Sequence, residues 1–365
     1  MAQRPLVMGL FGALAFSGAA AGLLLAANPR AGTPEVRLSL ARIDPLAAAA
    51  TLASASSPPS ASAVAPGAVT VELTSAPDDS PTADSSVPIG GAVITLPDQA
   101  PMMVGVGATL AQAPLPGFSD PSPGGPLPVI APDGVTPAQA YARPFTSDGK
   151  PEIALIVGGL GLNAQATREA INDLPPQITL SFVPYADGLQ GWIDLARSAG
   201  HEVLLEAPME PADYPSDDPG PYTLMVGDTA AQTARKLDWL MSRATGYFGF
   251  TNYLGGKFLA SPSSMAGFDA ILKKRGLAFI DDGLAARSGG DIPRASANRV
   301  IDASLAPAAI EQQLAELETD ASHNGSALGS GFAYPVTLKE ASTWAKSLGE
   351  KGYQLVPASA LAKLR

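Results

Sequence analysis

Acidic side chains with the potential for chemistry cluster in residues 206–221, which follow the third apolar strand of the predicted fold. Glu206, Glu210 and Asp213 lie there among several prolines, and a loop this long is uncommon unless it is functional. Carboxylates at such a place can act as acids or bases, or accept hydrogen bonds from sugar hydroxyls. A solvated acidic loop stiffened by proline is the alternative, and the spacing alone leaves both open.

A second acidic group, Asp281-Asp282-Gly283, follows the fifth predicted strand. Adjacent aspartates at a strand end can bind a cation or supply a general base, although one of them often only caps the turn. Asp281 follows the apolar run directly and is the stronger candidate. Asp302, which ends another short strand, is a weaker one.

Histidine and cysteine are scarce, because the chain has two histidines and no cysteine. Thiol nucleophiles, cysteine-ligated zinc and a three-histidine metal site within one chain are therefore excluded. His201 opens the third predicted strand, at the end of the sheet opposite to the ligand side, which favours a structural role. His323 lies at a helix C-terminus, where the helix dipole favours a cation.

A glycine-rich turn, 158–163, follows the first predicted strand. Gly159, Gly161 and Ala164 fit the dinucleotide-binding spacing, but that motif also needs an acidic residue closing the second strand. Asp187 lies beyond that point, so a tight turn with a helix cap is the favoured interpretation.

The elements that must position these groups alternate between short apolar strands and amphipathic helices. This order predicts an α/β fold with a mainly parallel sheet, as a barrel or doubly wound, with ligands at the carboxyl ends of the strands. Strands are predicted at 152–157, 178–183, 202–205, 247–251, 277–280, 300–301, 326–328 and 353–356. Helices are predicted at 163–173, 189–199, 228–243, 263–275, 307–321 and 338–350.

Composition divides the chain into three parts. Residues 1–28 hold an uncharged apolar run long enough to span a bilayer, as an uncleaved anchor or a cleaved signal segment. Residues 29–149 hold more than half of the 35 prolines and read as a disordered Pro/Ala/Ser-rich linker. Residues 150–365 form the folded domain. The net charge of -11 argues against a nucleic-acid partner.

The motifs IALIVGGLGLN, EAPMEPADYPSDDPGP and SRATGYFG resemble the divergent polysaccharide deacetylase family, which belongs to the NodB-like carbohydrate esterase superfamily. The resemblance covers about Pro151 to Leu364. It implies a deformed (β/α) barrel in an exported or membrane-anchored protein of the Gram-negative envelope.

The resemblance also implies that the usual metal ligands are missing. Standard members carry an Asp-Asp pair after the first strand and histidines in three later turns. One Asp and two His hold a divalent cation that activates water, and an Asp and a His act as base and acid. The matching positions here hold Gly158, Gly159, Glu206, Tyr253 and Phe332. The acidic position after the fifth strand persists as Asp281.

We therefore predict a catalytically degenerate module without a cofactor that binds glycan, peptidoglycan or an envelope protein. It would be held by an N-terminal helix in the inner membrane, with its domain in the periplasm, or secreted there after signal cleavage. An active esterase using Glu206 and Asp281, which would need a metal such as zinc, and a purely structural scaffold are the alternatives. Tyr185 is a further aromatic candidate for a sugar ring. The predicted cleft residues are Gly158, Gly159, Glu206, Glu210, Asp213, Tyr214, Asn252, Tyr253, Asp281, Asp282 and Phe332.

Overall fold

The computed structural model describes residues 109–285 and 291–364 of the 365-residue chain. The predicted membrane segment 1–28, and the predicted linker as far as residue 108, lie outside the described residues. Within the two described ranges, no helix is both long enough and apolar enough to cross a bilayer.

Short strands and helices alternate along the described chain, as the apolar runs predict. The strands are β1 (Ser119–Asp120), β2 (Leu127–Pro128), β3 (Glu152–Leu160), β4 (Thr179–Phe182), β5 (Val203–Met209), β6 (Gly249–Leu254), β7 (Ala278–Asp281), β8 (Pro293–Ser296), β9 (Arg299–Val300), β10 (Ser326–Phe332), β11 (Gln354–Leu355) and β12 (Lys363–Leu364). The helices are α1 (Pro137–Ala140), α2 (Ala164–Asp173), α3 (Leu189–Ser198), α4 (Ala230–Met241), α5 (Gly256–Leu259), α6 (Pro262–Arg275), α7 (Pro307–Asn324), α8 (Pro335–Ser347) and α9 (Ala358–Leu361).

The main sheet is an α/β half-barrel, in agreement with the expected (β/α) architecture. Its strand order is β12-β8-β7-β6-β5-β4-β3-β10-β9, and β11 also pairs with β3. Every pairing in this sheet is parallel except the one between β12 and β8. The carboxyl ends of the parallel strands therefore meet at one edge of the sheet, where ligand sites form in folds of this class.

Two apolar clusters cover opposite faces of this sheet. On β3, Leu155 and Val157 belong to the cluster that packs against the long helices, whereas Ala154 and Ile156 belong to the cluster on the inner face of the half-barrel. Successive side chains of a strand point to opposite faces, so the same alternation assigns every strand residue to one face. On β5, Glu206 shares the inner face with Leu204.

The caps of two helices, α2 and α4, lie within a residue of the predicted helix starts. Asn163 Oδ1 accepts hydrogen bonds from the backbone N–H groups of Gln165 and Ala166 at the start of α2. Thr229 forms a capping box with Gln232 at the start of α4, within one residue of the predicted start at 228.

Residues 109–149, which we call the N-terminal strap, correct the predicted linker boundary. The sequence predicts disorder as far as residue 149, yet the strap is ordered against the domain and includes β1, β2 and α1. Tyr141 is buried within the inner-face cluster, and the Arg197 guanidinium lies over its ring at 5.1 Å. Composition failed here because it measures whether a segment can form a core of its own, not whether it can dock on another.

Two buried charged residues of the domain hold the strap in place. Arg197 donates hydrogen bonds to the carbonyl oxygens of Ala111 and Tyr141, at 3.1 Å each. The Glu202 carboxylate accepts a 2.9 Å hydrogen bond from the backbone N–H of Arg143. The ordered domain therefore includes the described residues 109–149, which lie before the predicted boundary at 150.

Candidate functional site

A buried carboxylate, Glu206, lies on the inner face near the carboxyl end of β5. Its Oε1 accepts hydrogen bonds from the backbone N–H of Gly159 at 2.6 Å and from Ser181 Oγ at 3.0 Å. Its Oε2 is buried and has no hydrogen-bond partner among the residues that the structure describes. Because the side chain is only 2% exposed, burial raises the pKa of Glu206 to about 7, and the two hydrogen bonds offset only part of this shift.

The glycines of the first strand make room for this carboxylate. A β-carbon at Gly158 would lie 2.7 Å from Ser181 Oγ and 2.8 Å from Glu206 Oε1, closer than side-chain packing allows. Gly159 adopts the left-handed conformation with φ of +73°, beside an irregularity in the pairing of β3 with β4. The predicted turn at 158–159 is therefore the end of a longer strand that donates a backbone N–H to Glu206.

Aromatic side chains form one wall beside Glu206. The rings of Tyr253 and Phe332 meet edge to face, with centroids 6.1 Å apart, and the Tyr334 ring lies 6.4 Å from that of Phe332. Burial raises the pKa of the Tyr253 phenol, and the nearby Glu206 charge raises it further. Because Tyr334 is 45% exposed, this wall reaches from the buried carboxylate to the surface.

Two neighbouring cavities, of about 590 and 160 Å³, both have Glu206, Leu254 and Phe332 in their walls. The described residues that line them include the acids Glu206, Asp218 and Asp282 but no lysine, arginine or histidine. We call the two cavities together the cleft. The larger cavity is lined by Gly159, Leu162, Asn163, Ala166, Val183, Pro184, Tyr185, Glu206, Pro208, Asp218, Pro219, Tyr253, Leu254, Phe332, Ala333, Tyr334 and Pro335. The smaller is lined by Ile156, Gly158, Ser181, Glu206, Thr251, Asn252, Leu254, Asp282, Val300, Ser330, Gly331 and Phe332.

Asn252 stabilises the turn at the end of β6. Its Nδ2 donates a 2.7 Å hydrogen bond to the carbonyl oxygen of Leu254, and its Oδ1 accepts one from the backbone N–H of Asp282 at 3.0 Å. Leu254 has a φ of +56°, an unusual conformation for a residue with a branched side chain. Sequence reasoning missed Leu254, since a positive φ in a leucine has no signal in the sequence.

Asp281 does not join Glu206, which corrects the predicted carboxylate pair. Glu206 is in register with Thr251, and Thr251 with Ile280, so Asp281 lies on the opposite, helix-covered face. Its oxygens accept 2.9 Å hydrogen bonds from Ser296 Oγ and the backbone N–H of Gly283. Arg294 Nη2 lies 3.6 Å from Asp281 Oδ2. The same buried guanidinium also forms an ion pair with Asp269. Burial raises the pKa of Asp281, although these partners oppose the shift.

Glu210, Asp213 and Tyr214 are not cleft residues, contrary to the prediction. Glu210 is buried, and its carboxylate binds Lys257 Nζ at 2.5 Å and the backbone N–H of Val226 at 2.7 Å. Asp213 and Tyr214 are exposed and line neither cavity. Beyond the end of β5, the acidic loop supplies Asp218 and Pro219 to the described cleft. Asp213 is solvated, as the solvated-loop alternative predicts, and Glu210 pairs with Lys257.

Tyr185 lines the larger cavity, as its place after the second strand suggests. Its hydroxyl accepts a 3.1 Å hydrogen bond from the backbone N–H of Tyr222, and its ring packs on Trp239 with centroids 5.6 Å apart.

Asp302, a weaker candidate, supports the cleft indirectly. Its Oδ2 accepts hydrogen bonds from the backbone N–H of Phe332 at 2.7 Å and from Thr337 Oγ1 at 3.0 Å.

His201 occupies a structural position. It is 1% exposed, and its Nδ1 and Nε2 lie 2.8 Å and 3.2 Å from the carbonyl oxygens of Ile178 and Ile171. Burial lowers the pKa of the imidazole, and the two carbonyl contacts partly oppose that shift. His323 lies in the last turn of α7, as predicted.

Comparison with known proteins identifies the class of the half-barrel. A family model described as divergent polysaccharide deacetylase matches residues 155–362. The crystal structure of an uncharacterized protein from Agrobacterium tumefaciens C58 is 39% identical and superposes with a TM-score of 0.63, covering 65% of this chain and all of that one. A Haemophilus influenzae protein is 23% identical over 194 residues, which make up 51% of this chain and 68% of that protein.

A more distant structure is the catalytic domain of a peptidoglycan N-acetylglucosamine deacetylase from Eubacterium rectale, at 12% identity and a TM-score of 0.38, covering 58% of this chain and 90% of that one. The fold is an α/β half-barrel of the polysaccharide deacetylase type. The chain belongs to the divergent polysaccharide deacetylase family.

The divalent cation that the family resemblance implies does not fit the residues of this cleft. Of the five matching positions, Glu206 alone has a carboxylate, and Tyr253 offers only a phenol whose pKa is raised. In the described ranges, no group of three or more histidine, aspartate or glutamate side chains is arranged to hold a metal ion. First-row cations need several nitrogen, sulfur or carboxylate donors, and the described residues of this cleft do not supply them.

Proposed function

We propose that this domain binds glycan in the cleft and lacks the metal-dependent hydrolysis of standard family members. The observation that carries the proposal is Glu206: a buried carboxylate oxygen without a protein partner at the floor of an aromatic-walled cavity. A buried polar atom without a partner costs free energy, so a ligand that donates a hydrogen bond to Oε2 would be favoured. Aromatic walls with a few polar groups are typical of small-molecule sites.

The positions of two carboxylates count against the esterase alternative. That alternative requires Glu206 and Asp281 to act together, whereas by strand register their side chains lie on opposite faces of the sheet. Asp281 is held by Arg294 and Ser296 and lines neither cavity. Among the described residues that line the cleft, Glu206 is therefore the only fully buried carboxylate, which supports binding rather than acid–base chemistry by a pair.

Isothermal titration of the full chain with chitin-type oligosaccharides, acetylated and deacetylated, tests this proposal. Tyr253→Ala removes part of the aromatic wall, and we expect it to weaken binding at least about tenfold. Tyr214→Ala is the matched control, since Tyr214 is exposed and outside the cleft. Absence of binding by every oligosaccharide, or equal affinities for the two variants, would refute a sugar cleft and favour an envelope-protein partner or a scaffold.

We further propose that the protein works in the cell envelope, anchored by residues 1–28 or exported through them. The support is the long uncharged run in that segment together with the carbohydrate-related family. Fractionation tests the location: alkaline carbonate washing should leave an anchored protein in the membrane fraction and release a cleaved one. Recovery of the full-length chain from the cytosolic fraction would contradict both.

A further inference from the structure

We infer that the cleft selects sugars with a free amine, binding the ammonium group against Glu206, in preference to the N-acetylated sugars. This inference rests on the proposed glycan-binding function and adds the chemical class of the ligand. The ligand in question is an amino sugar that binds as a cation.

The charge of the cleft favours a cation. Three acids, Glu206, Asp218 and Asp282, are among the lining residues, and none of the described lining residues is basic. Glu206 lies deepest, with an exposed fraction of 2%, so solvent screens its charge weakly once it is ionised. A ligand that brings a positive charge to Oε2 would supply the missing partner of this oxygen.

The hydrogen-bonding groups around Glu206 favour a ligand group that donates hydrogen bonds over one that accepts them. The Gly159 N–H and the Ser181 hydroxyl already donate to Glu206 Oε1, and the Asn252 amide already donates to the Leu254 carbonyl oxygen. An ammonium group offers three donors and no acceptor, whereas an acetamide brings a carbonyl oxygen that needs a donor. Beside the ionised Glu206 carboxylate, the partly negative acetamide oxygen would be repelled by a negatively charged oxygen.

The aromatic wall suits the same ligand. Tyr253 and Phe332 stand edge to face beside the carboxylate, and Tyr334 continues the wall to the surface. Such rings pack against the apolar face of a sugar, and their faces attract a nearby cation. The wall thereby binds the ring of the sugar, and Glu206 distinguishes the amine from its acetylated form.

Ammonium binding requires the ionised form of Glu206, so the affinity depends on pH. Of the residues around Glu206, Gly159 on β3 and Ser181 on β4 do not titrate, and the Tyr253 phenol on β6 has its pKa raised further above the neutral range. Asp218 and Asp282 also line the cleft. Affinity for the amine should therefore rise between about pH 5.5 and about pH 7.5 as Glu206 ionises, and fall above about pH 8 as the ligand amine loses its proton.

The test is isothermal titration of the full chain at about pH 7.5 with chitin oligosaccharides and with fully deacetylated oligosaccharides of the same length, in about 0.15 M salt. We expect the deacetylated ligand to bind at least about tenfold more tightly, and Glu206→Gln to remove most of this preference while acetylated sugars still bind. Asp213→Asn is the control: it removes the same charge from an exposed loop position and should keep the preference.

The outcomes separate the two proposals. Equal or tighter binding of the acetylated ligand, or a preference that persists in Glu206→Gln, would overturn the amine inference and leave the glycan site intact. Failure of both ligands to bind would overturn the proposed function itself. If Glu206→Gln unfolds, the wild-type chain decides the question, because a preference that does not rise between about pH 5.5 and about pH 7.5 would also overturn the inference.

Discussion

The Glu206 carboxylate and a side chain at position 158 would compete for the same space. A β-carbon built on Gly158 would lie 2.8 Å from Glu206 Oε1 and 2.7 Å from Ser181 Oγ. The resemblance places a carboxylate at position 158 and a histidine at position 206 in standard family members. In this chain position 158 has no side chain, and the Glu206 carboxylate lies in the adjacent space and accepts a hydrogen bond from the Gly159 N–H.

Substitution of Gly158 tests this relationship. We expect Gly158→Ala to lower the free energy of unfolding by about 2 kcal/mol, measured by urea denaturation, because the added methyl group overpacks the floor. Gly191→Ala is the control: it lies in α3 with nothing within 4 Å of its β-carbon, and should leave stability unchanged or raise it. If Gly158→Ala is as stable as this control, the carboxylate does not occupy the space described.

The buried Glu206 should make stability depend on pH. Its pKa is about 7 in the folded protein against an ordinary value of 4.5, so the folded state binds the proton more tightly than the unfolded chain. The stability that this group contributes is complete below about pH 4.5 and is lost as the pH rises through about 7.

Glu206→Gln isolates this contribution from the other buried carboxyl groups, which both proteins share. We expect the difference in unfolding free energy, wild type minus variant, to fall by up to about 3 kcal/mol between about pH 5 and about pH 8. Urea denaturation at several pH values measures it. A difference that stays constant or rises with pH would contradict the buried environment of Glu206.

Asp281 should matter for stability and not for sugar binding. Asp281→Asn weakens a buried pair with Arg294, and we expect it to lower the unfolding free energy by about 2 kcal/mol with sugar affinity unchanged. For stability, Asp282→Asn is the comparison variant, because Asp282 is partly exposed and its carboxylate accepts a hydrogen bond from the backbone N–H of Leu284. If Asp281→Asn had normal stability and reduced sugar affinity, Asp281 would belong to the binding site.

The two histidines form a natural pair for comparison. His201→Gln should cost about 2 kcal/mol or more in thermal or urea unfolding, because the buried ring contacts two carbonyl oxygens. His323→Gln, at the exposed end of α7, should cost less than about 1 kcal/mol. Equal effects of the two substitutions would show that the buried contacts of His201 do not stabilise the fold.

The order of strands and helices could be predicted because local signals agree with it. Apolar runs such as 152–157 form the strands, and the caps Asn163 and Thr229 begin their helices where expected. The strap could not be predicted in this way. Its anchors, Arg197 and Glu202, lie in the domain, and only the folded structure brings their partners to them.

The candidate site was predicted in part. Glu206, Asn252, Tyr253 and Phe332 do meet at the carboxyl ends of their strands. Asp281 was misplaced because proximity to a strand end says nothing about which face a side chain occupies. The pairing of Glu206 with Thr251, and of Thr251 with Ile280, fixes that face, and such register is a property of the assembled sheet.

Acetate release from chitin oligosaccharides and peptidoglycan by the full chain, with added zinc or with a chelator, tests the central claim most directly. If the cleft binds glycan without a metal centre, acetate release should stay at the same background level with zinc and with the chelator. The sugar should still bind in the titration experiment. Zinc-dependent release that Glu206→Gln abolishes would contradict the claim and would show that this half-barrel still works as a deacetylase.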